Sequence, residues 1–312
     1  MSRYPVTWRF LDALEAVAAF LWPRRMHRYT GVLLLVPAVA LVGLLVAGLF
    51  QMGDSSLRLL DTETFEQSED YSLANYRDLI EKPTYFTVLW RSTWAAALVT
   101  VLTLLLGFPY AYAMVRTRSA WRRKALLVSL FLPFFIGQVV RAYGWLVVLG
   151  KTGLVNTLLG TLGLGPFKMI YTFPSLVFGL VQYMLPFAVL LLAPAITAID
   201  EELESASESL GAGGWRTLWH VVLPLARPGL VASAVVVFTL TLTDYAMPVV
   251  LGGGTNDFIA NAVYDAFFRI SDNGLGSALA LTLVVFGSTV VAVMLGLLGA
   301  GTLGMRGRGN AR

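Results

Sequence analysis

The amino-acid sequence predicts an all-α polytopic membrane protein with six transmembrane helices, and three observations support that prediction. The 312-residue chain is 57% hydrophobic and 13% charged, whereas a typical soluble domain is about one quarter charged. The hydrophobic residues are gathered into long runs of the length that a membrane-spanning helix needs, roughly 20 residues. The basic residues between those runs are distributed asymmetrically. Together these features indicate a membrane protein and not a soluble enzyme built on a single core.

Six apolar segments are long enough to cross a bilayer as helices. Their approximate limits are 31–50, 88–114, 125–149, 173–199, 229–251 and 275–303. They divide the chain into an N-terminal segment 1–28, a first helix 29–50, an external loop 51–87, a core of five helices over 88–303, and a tail 304–312.

The Lys and Arg residues indicate the orientation of the chain, because short cytoplasmic loops carry an excess of both. Fifteen of the 23 lie in the N-terminal segment, in the loops after the second and fourth apolar segments, and in the C-terminal tail. Seven lie on the opposite side, and Arg141 falls inside the third segment. We therefore expect both termini, and the loop 200–228, in the cytoplasm.

The N-terminal segment has the pattern of an amphipathic helix. Between Val6 and Arg25 the large apolar side chains fall mostly on one side: Trp8, Phe10, Leu11 and Leu14. Such a helix is expected to lie in the cytoplasmic interface of the bilayer, and a solvated helix is the alternative. The segment has no short apolar run followed by a small-residue cleavage site, so we expect no cleaved signal peptide.

Several kinds of chemistry are excluded by the composition. The chain has no cysteine, so it has no disulfide, thiolate metal site or catalytic thiol. His27 and His220 are far apart in the sequence, so no histidine metal cluster is expected. The tract Gly144–Thr152 ends in G-K-T, but five residues separate its glycines where a P-loop has four. We therefore expect no catalytic site, no metal, no cofactor on this chain and no nucleic-acid partner.

The polar loop 200–228 predicts a helical hairpin. Four acids suit the first turn of a helix, where negative charge meets the positive end of the helix dipole: Asp200, Glu201, Glu202 and Glu204. Gly211 is expected to end that helix, because glycine adopts left-handed dihedrals at low cost. A second short helix is predicted over 214–222, with Leu223–Pro224 stopping it.

The spacing in this hairpin resembles the cytoplasmic loop of binding-protein-dependent ABC importer permeases. That loop reads E-A-A, three residues, G, nine residues, I, one residue, L-P. Here nine residues follow Gly211 before the apolar position, and Leu223–Pro224 keep the family's spacing. The E-A-A position reads Ser205–Ala206–Ser207, so Glu204 or Glu208 is expected to supply the acid.

Two further stretches resemble the spermidine/putrescine branch of these permeases. They are "LPFFIGQVVRAYGWLVVLGKTGLVNTLL" over 132–159, with the signature R-x-Y-x-W, and "DYAMPVVLGGGTNDFIANAVYDAF" over 244–267. The resemblance implies the type I ABC importer permease fold in a bacterial inner membrane. It implies an imported solute that is a cationic amine, with an opine, a thiamine-like compound or an aminophosphonate as alternatives.

The resemblance also implies a set of partners. Similar importers combine two permease subunits, here expected to be different chains, with two ATPase subunits that bind ATP and Mg and with an external or periplasmic binding protein. The ATPase would dock on the hairpin at Glu204, Ala206, Glu208, Gly211, Ala212, Leu223 and Pro224.

Polar and aromatic residues inside the apolar segments are candidates for a solute pathway, because ionisable groups in a membrane usually face a cavity or a partner. Arg141 and Asp244 are the clearest candidates, and Asp244 suits a cationic amine as a counter-charge. An ion pair between Asp244 and Arg141, or hydrogen bonding across the subunit interface, is the structural alternative. Tyr143, Trp145, Tyr183 and Tyr245 could offer cation–π contacts, and Gln138 a polar one. Interface anchoring and helix–helix hydrogen bonding are the ordinary uses of such residues.

Two other classes of protein also fit six apolar segments. A secondary transporter or channel is the first, but the chain has no convincing inverted repeat and carries a long ordered cytoplasmic hairpin. An intramembrane enzyme is the second, but it would need a nucleophile and base or metal ligands within the apolar segments. We therefore favour the importer permease.

Overall fold

A computed structural model describes residues 30–61, 64 and 66–299 of the chain. The predicted interfacial helix within 1–28 and the tail 304–312 lie outside these residues. The chain divides into two compact units, 1–54 and 55–312.

The first helix, α1 (Thr30–Ser56), covers the first predicted span and continues past its expected end at residue 50. From Leu35 to Gln51 every side chain is exposed, although the segment is almost wholly apolar. Such exposure suits a helix surrounded by hydrocarbon, since lipid solvates apolar side chains as well as a protein core does.

The predicted external loop contains a small ordered unit. Strands β1 (Arg58–Leu60) and β2 (Gln67–Tyr71) form an antiparallel pair, and helix α2 (Ala74–Glu81) follows. The side-chain amide of Asn75 donates hydrogen bonds to the backbone oxygens of Ser56 (3.0 Å) and Arg58 (2.9 Å). These bonds join α2 to the start of the strand pair. The strands were not predicted from the sequence.

Helix α3 (Pro83–Arg116) contains the second predicted span and is the longest helix described. It begins at Pro83, which suits the first turn because the missing N–H would have no partner there. Its buried face is formed largely by small residues, among them Ala95, Ala96, Gly107 and Ala111.

The third predicted span is not one helix. Helix α4 (Ala120–Phe131) runs into a 3-10 turn (Leu132–Phe135), and α5 (Gln138–Val148) leaves it at an angle of 101°. Pro133 lacks a backbone donor and Gly137 is extended (ψ 144°), so the chain changes direction between them. The prediction of a continuous helix over 125–149 is therefore wrong. Helix α6 (Leu154–Thr161) follows.

Helix α7 (Phe173–Thr197) confirms the fourth predicted span. The hydroxyl of Thr172 accepts a hydrogen bond from the Ser175 backbone N–H, which caps the start of the helix. After α7 come α8 (Glu201–Ser209), α9 (Gly214–Thr217), a π-helical turn (Leu218–Val222) and α10 (Leu223–Leu225).

The fifth predicted span is interrupted near its C-terminal end. Helix α11 (Arg227–Leu242) stops, and a short helix α12 (Ala246–Gly252) begins only after Thr243, Asp244 and Tyr245. The prediction of one helix over 229–251 is wrong at this point, because the polar residues between the two helices leave the helical hydrogen-bond pattern. Helix α13 (Ile259–Tyr264), a π-helical turn (Asp265–Arg269) and α14 (Asn273–Gly299) complete the described chain.

Helices α3, α7 and α11 pack against one another and form the core. Close approach is visible at Gly229, where a β-carbon would lie 2.4 Å from the β-carbon of Ala195. Fully buried apolar residues fill the centre of the core, among them Val99, Leu180, Met184, Leu192 and Val237.

Four of the described helices are long and apolar enough to cross a membrane: α1, α3, α7 and α14. Two sharply bent pairs bring the number to six if each pair forms one span. They are Ala120–Phe135 with α5, and Gly214–Leu225 with α11, the second pair bent by 73°. The chain is thus a multi-pass helical protein with four to six candidate spans.

Candidate functional site

The first helix of the polar hairpin forms as the sequence predicts. A carboxylate oxygen of Asp200 accepts a hydrogen bond from the Glu202 backbone N–H at 3.0 Å and so caps α8. Glu201, Glu202 and Glu204 lie in the first turn, near the positive end of the helix dipole.

Gly211 ends this helix in a left-handed conformation, with φ of 83°. Its backbone N–H donates to the carbonyl of Glu208 (2.9 Å), and the N–H of Ala212 donates to the carbonyl of Ser207 (3.1 Å). This pair of bonds is the Schellman arrangement, which satisfies the last carbonyls of the helix. The prediction that Gly211 ends the helix is confirmed.

The second helix of the hairpin is longer than expected. Pro224 does not stop it, because the π-helical turn 218–222 carries the helical path into α10. The Leu223 N–H bonds to the carbonyl of Leu218, five residues back, and Pro224 stands early in the next turn, where no donor is required. The helix ends at Ala226, where the chain bends into α11.

The hairpin presents much of its surface to solvent. A hydrogen bond of 3.0 Å between the hydroxyls of Ser207 and Thr217 joins its two arms. Of the residues predicted to meet an ATPase, four are exposed: Ala206, Glu208, Gly211 and Pro224. Ala212 and Leu223 are half-buried. The hairpin turn also carries Leu210, which is 90% exposed.

Glu204 differs from these residues because it is buried. One oxygen of its carboxylate accepts a hydrogen bond from the Tyr112 hydroxyl at 2.6 Å. The other lies 2.6–2.7 Å from two guanidinium nitrogens of Arg116. The structure therefore uses this carboxylate inside the chain, against the end of α3.

The two interruptions in the apolar segments are joined by a hydrogen bond. The Gln138 amide, in the first turn of α5, donates to one carboxylate oxygen of Asp244. The other oxygen accepts the backbone N–H of Met247 at 2.9 Å. Irregular backbone at membrane depth is tolerated where it is buried in protein or lines a water-filled cavity, and Asp244 is 6% exposed.

Arg141 satisfies a different set of groups. Its guanidinium donates to the backbone oxygens of Pro133 (2.6 Å) and Ile136 (2.7 Å) in the turn between α4 and α5. Its terminal carbon lies 5.0 Å from the centre of the Tyr183 ring. Among the described residues, no ion pair joins Arg141 to Asp244, so the pairing considered from the sequence is not formed.

The remaining aromatic candidates do not converge on one point. The Trp145 indole N–H donates to the side chain of Gln182 at 3.3 Å. The ring of Tyr245 lies 4.6 Å from that of Tyr264. Tyr143 is 58% exposed on the outer surface of the chain. The helix–helix hydrogen bonding considered for Gln138 is thus present, whereas a single aromatic cage is absent from the described part of the chain.

An open cavity of about 680 Å³ lies beside the interruption between α4 and α5. Its polar lining includes Arg141, Trp145, Gln182 and Tyr110. It is large enough for a small ligand, because ligand pockets typically enclose about 300–1,000 Å³.

Sequence reasoning missed the partners of Glu204. Tyr112 and Arg116 precede it by 92 and 88 residues, and no spacing pattern connects such distant positions. A usable signal was present in Arg116 itself, which follows a long apolar segment at the end predicted to lie on the same side of the membrane as the hairpin.

Residues 118–302 match the family described as the binding-protein-dependent transport system inner membrane component, and this range is more than half of the chain. The chain belongs to this family. The resemblance found in the hairpin spacing is thereby confirmed. The permease is a transport component of an inner membrane and not an enzyme.

Two curated relatives show the range of the similarity. The permease is 31% identical over 224 residues to the spermidine/putrescine transport system permease protein PotB of Haemophilus influenzae, covering 71% of this chain and 78% of that protein. It is 37% identical over 158 residues to the molybdenum transport system permease protein ModB of Azotobacter vinelandii, covering 51% of this chain and 69% of that protein.

The permease also has the fold of a solved importer structure. It is similar to a bacterial ABC transporter involved in the import of the acidic polysaccharide alginate, with a TM-score of 0.66 and 20% identity. The match covers 96% of this chain and 100% of that chain. At this identity the similarity concerns the fold alone, and it supports the predicted ABC importer permease architecture.

Proposed function

We propose that this chain is the membrane-spanning subunit of an ATP-driven importer for a small cationic amine. The observation that carries the proposal is the hairpin 200–228. Its glycine and its Leu-Pro pair have the sequence spacing of the family's cytoplasmic loop, and the hairpin exposes Ala206, Glu208 and Gly211. A sequence identity of 31% to a spermidine/putrescine permease, over 71% of this chain, supports the choice of solute.

The proposed coupling runs through the hairpin. Two ATPase subunits bind ATP and Mg, and each docks on one permease subunit of a pair. Exposed Ala206, Glu208, Gly211 and Pro224, together with half-buried Ala212 and Leu223, provide the docking surface on this chain. Closure of the ATPases then moves the hairpin and opens the pathway alternately to each side of the membrane. Glu204 contributes from inside the chain, since its carboxylate already binds Arg116.

The proposed pathway passes the interruptions at Gln138 and Asp244. Asp244 supplies a negative charge for an amine at the point where both predicted spans leave the helical pattern. The Tyr183 ring beside Arg141 and the cavity at Trp145 provide aromatic surface along the route. A cationic solute gains from both kinds of contact, because carboxylates and aromatic faces each attract cations.

The proposed topology has six spans with both termini in the cytoplasm. The asymmetric placement of Lys and Arg supports it, as do the four long helices together with the two further apolar segments at α4–α5 and at α11. An external or periplasmic binding protein delivers the solute on the opposite side, and the second permease subunit is a different chain.

The solute class is tested by binding measurements on the cognate external protein. A panel of spermidine, putrescine, an opine, a thiamine-like compound, an aminophosphonate and molybdate separates the alternatives, and the last is included because ModB is a relative. Selective binding of a polyamine supports the proposal. Selective binding of an anion without an amine contradicts the assignment of the solute while leaving the importer permease intact.

A further inference from the structure

The carboxylate of Glu204 joins the hairpin to the core. Glu204 lies in the first turn of α8, and Arg116 is the last residue of α3. Two short hydrogen bonds and an ion-pair contact connect these elements. The Tyr112 hydroxyl donates at 2.6 Å and Nε of Arg116 donates at 2.7 Å, while a terminal guanidinium nitrogen of Arg116 lies 2.6 Å from the carboxylate. We call Tyr112, Arg116 and Glu204 the clasp.

The clasp is shielded from water. The side chains of Arg116 and Glu204 are 14% and 11% exposed. Hydrogen bonds between charged partners are roughly twice as strong as those between neutral ones. When a buried pair loses one partner, the other charge is left without compensation, and this is strongly unfavourable. The contact is therefore stiff compared with an exposed ion pair, which contributes little.

Arg116 also holds the segment between α7 and α8. One of its terminal nitrogens donates to the backbone oxygen of Ile199 at 2.8 Å, and another lies 3.7 Å from the carboxylate of Glu201. The end of α3, the exit from α7 and the start of α8 are thus fastened around one guanidinium. A displacement of α8 must displace the end of α3 or break these bonds.

We propose that the clasp transmits movement of the hairpin to α3, and that its three members are positioning residues for transport. The inference rests on the proposed docking of an ATPase on the hairpin. Helix α3 is the suitable receiver because it packs along both α7 and α11 in the core. The exposed neighbour Ser205 stands on the side of α8 that remains free for a partner.

The proposal separates two roles that the hairpin could combine. The exposed docking residues Ala206, Glu208, Gly211 and Pro224 decide whether an ATPase binds. The clasp decides whether its movement reaches the membrane. A variant of the clasp is therefore expected to keep the ATPase and to lose the coupling between hydrolysis and transport.

The test uses the complete importer, reconstituted from this chain, its ATPase, the second permease and the binding protein in liposomes. The variants are Glu204→Gln, Arg116→Met, Tyr112→Phe and the double variant Glu204→Gln with Arg116→Met. The matched control is Glu202→Gln, the same change at an exposed position of the same helix turn. Three quantities are measured: the amount of ATPase captured with the chain, the thermal stability of the assembly, and solute moved per ATP hydrolysed.

We expect Glu204→Gln to capture the ATPase as the wild type does and to move about tenfold less solute per ATP, a size typical of changes in coupling networks. Tyr112→Phe, which keeps the ion pair, is expected to lose less, about twofold to fivefold. Glu202→Gln is expected to behave as the wild type does.

The double variant makes the test decisive, because it leaves no uncompensated buried charge. If it captures the ATPase and has wild-type stability but does not regain solute moved per ATP, the clasp transmits movement. If it restores all three, or if Glu204→Gln transports normally, the clasp only stabilises the fold and the inference is overturned. If the wild-type chain captures no ATPase, it is the proposed docking that fails.

Discussion

The Gln138 amide donates a hydrogen bond to the carboxylate of Asp244. The bond joins the start of α5 to the break between α11 and α12, and both positions lie inside predicted membrane spans. One carboxylate oxygen of Asp244 accepts the bond from Gln138, and the other accepts a hydrogen bond from the backbone N–H of Met247. The carboxylate is therefore held in place by one group from each interrupted segment. A cationic solute approaching it would meet an oriented carboxylate that needs no rearrangement, which is the arrangement that favours binding.

The first prediction concerns the charge of Asp244. Asp244→Asn keeps an oxygen for the Met247 N–H and an amide that can pair with Gln138 in a flipped orientation, so the fold is expected to survive. We expect uptake of a cationic amine to fall about tenfold or more, because loss of a buried charge contact costs about 2 kcal/mol or more. Uptake is measured in liposomes that contain the complete importer.

ATP hydrolysis and assembly of the same complex are the internal controls for this variant. Asp78→Asn, which removes an exposed acid of α2 paired with Lys82, is the matched change. Unaltered uptake kinetics in Asp244→Asn would remove Asp244 from the pathway.

The second prediction concerns the turn of the hairpin. Gly211 has φ of 83°, whereas Gly213 has φ of −71°, and a β-carbon would meet nothing within 4 Å at either position. Gly211→Ala is expected to destabilise the hairpin by about 1–2 kcal/mol, the usual cost of a left-handed conformation for a residue with a side chain. Gly213→Ala should have little effect.

Capture of the ATPase by the detergent-solubilised chain is the measurement for this pair of variants. We expect capture to weaken in Gly211→Ala and to stay at the wild-type level in Gly213→Ala. Equal capture by both variants would show that the geometry of the turn at Gly211 does not control docking.

The third prediction separates the two uses considered for Arg141. Its guanidinium donates to the backbone oxygens of Pro133 and Ile136, so Arg141→Met removes a charged donor from both carbonyls and leaves Pro133 with only the Ile136 backbone N–H. We expect a loss of about 1.5–3 kcal/mol of stability, the usual size for hydrogen bonds to a charged group. This loss of stability is measured as a lower thermal unfolding temperature of the chain in detergent.

Lys151→Met, which removes an exposed cation near the same segment, is the control for Arg141→Met and should unfold at the wild-type temperature. A variant Arg141→Met that unfolds normally but no longer transports would place Arg141 in contact with the solute instead.

The long helices and the turn of the hairpin could be predicted from the sequence. Helices α3 and α7 follow from apolar length alone, and the Schellman turn at Gly211 follows from a glycine after an acidic, amphipathic segment. These features depend on neighbouring residues, so local patterns predict them.

The interrupted spans could not be read in the same way. The stretch 125–149 is apolar throughout its length, and hydropathy does not distinguish a continuous helix from two helices at 101°. Pro133 and Gly137 marked the position, but the bend is stabilised by Arg141, which supplies the missing donors from the following helix. Asp244 likewise ends a helix through contacts with Gln138, 106 residues earlier.

The burial of Glu204 shows the same limit. Its place next to the family's glutamate position suggested a contact with an ATPase, but its carboxylate binds Tyr112 and Arg116 within the chain. Pairing across 88 residues depends on how α3 and α7 pack, and a single sequence does not contain that information.

The central claim is that this chain passes a cationic amine through a membrane under the control of a separate ATPase. The most direct measurement is uptake of spermidine or putrescine by liposomes that contain this chain, its ATPase, the second permease and the binding protein. Uptake is expected to require both ATP and the binding protein and to stop when the ATPase is left out. Uptake by this chain alone, driven by an ion gradient and indifferent to ATP, would contradict it.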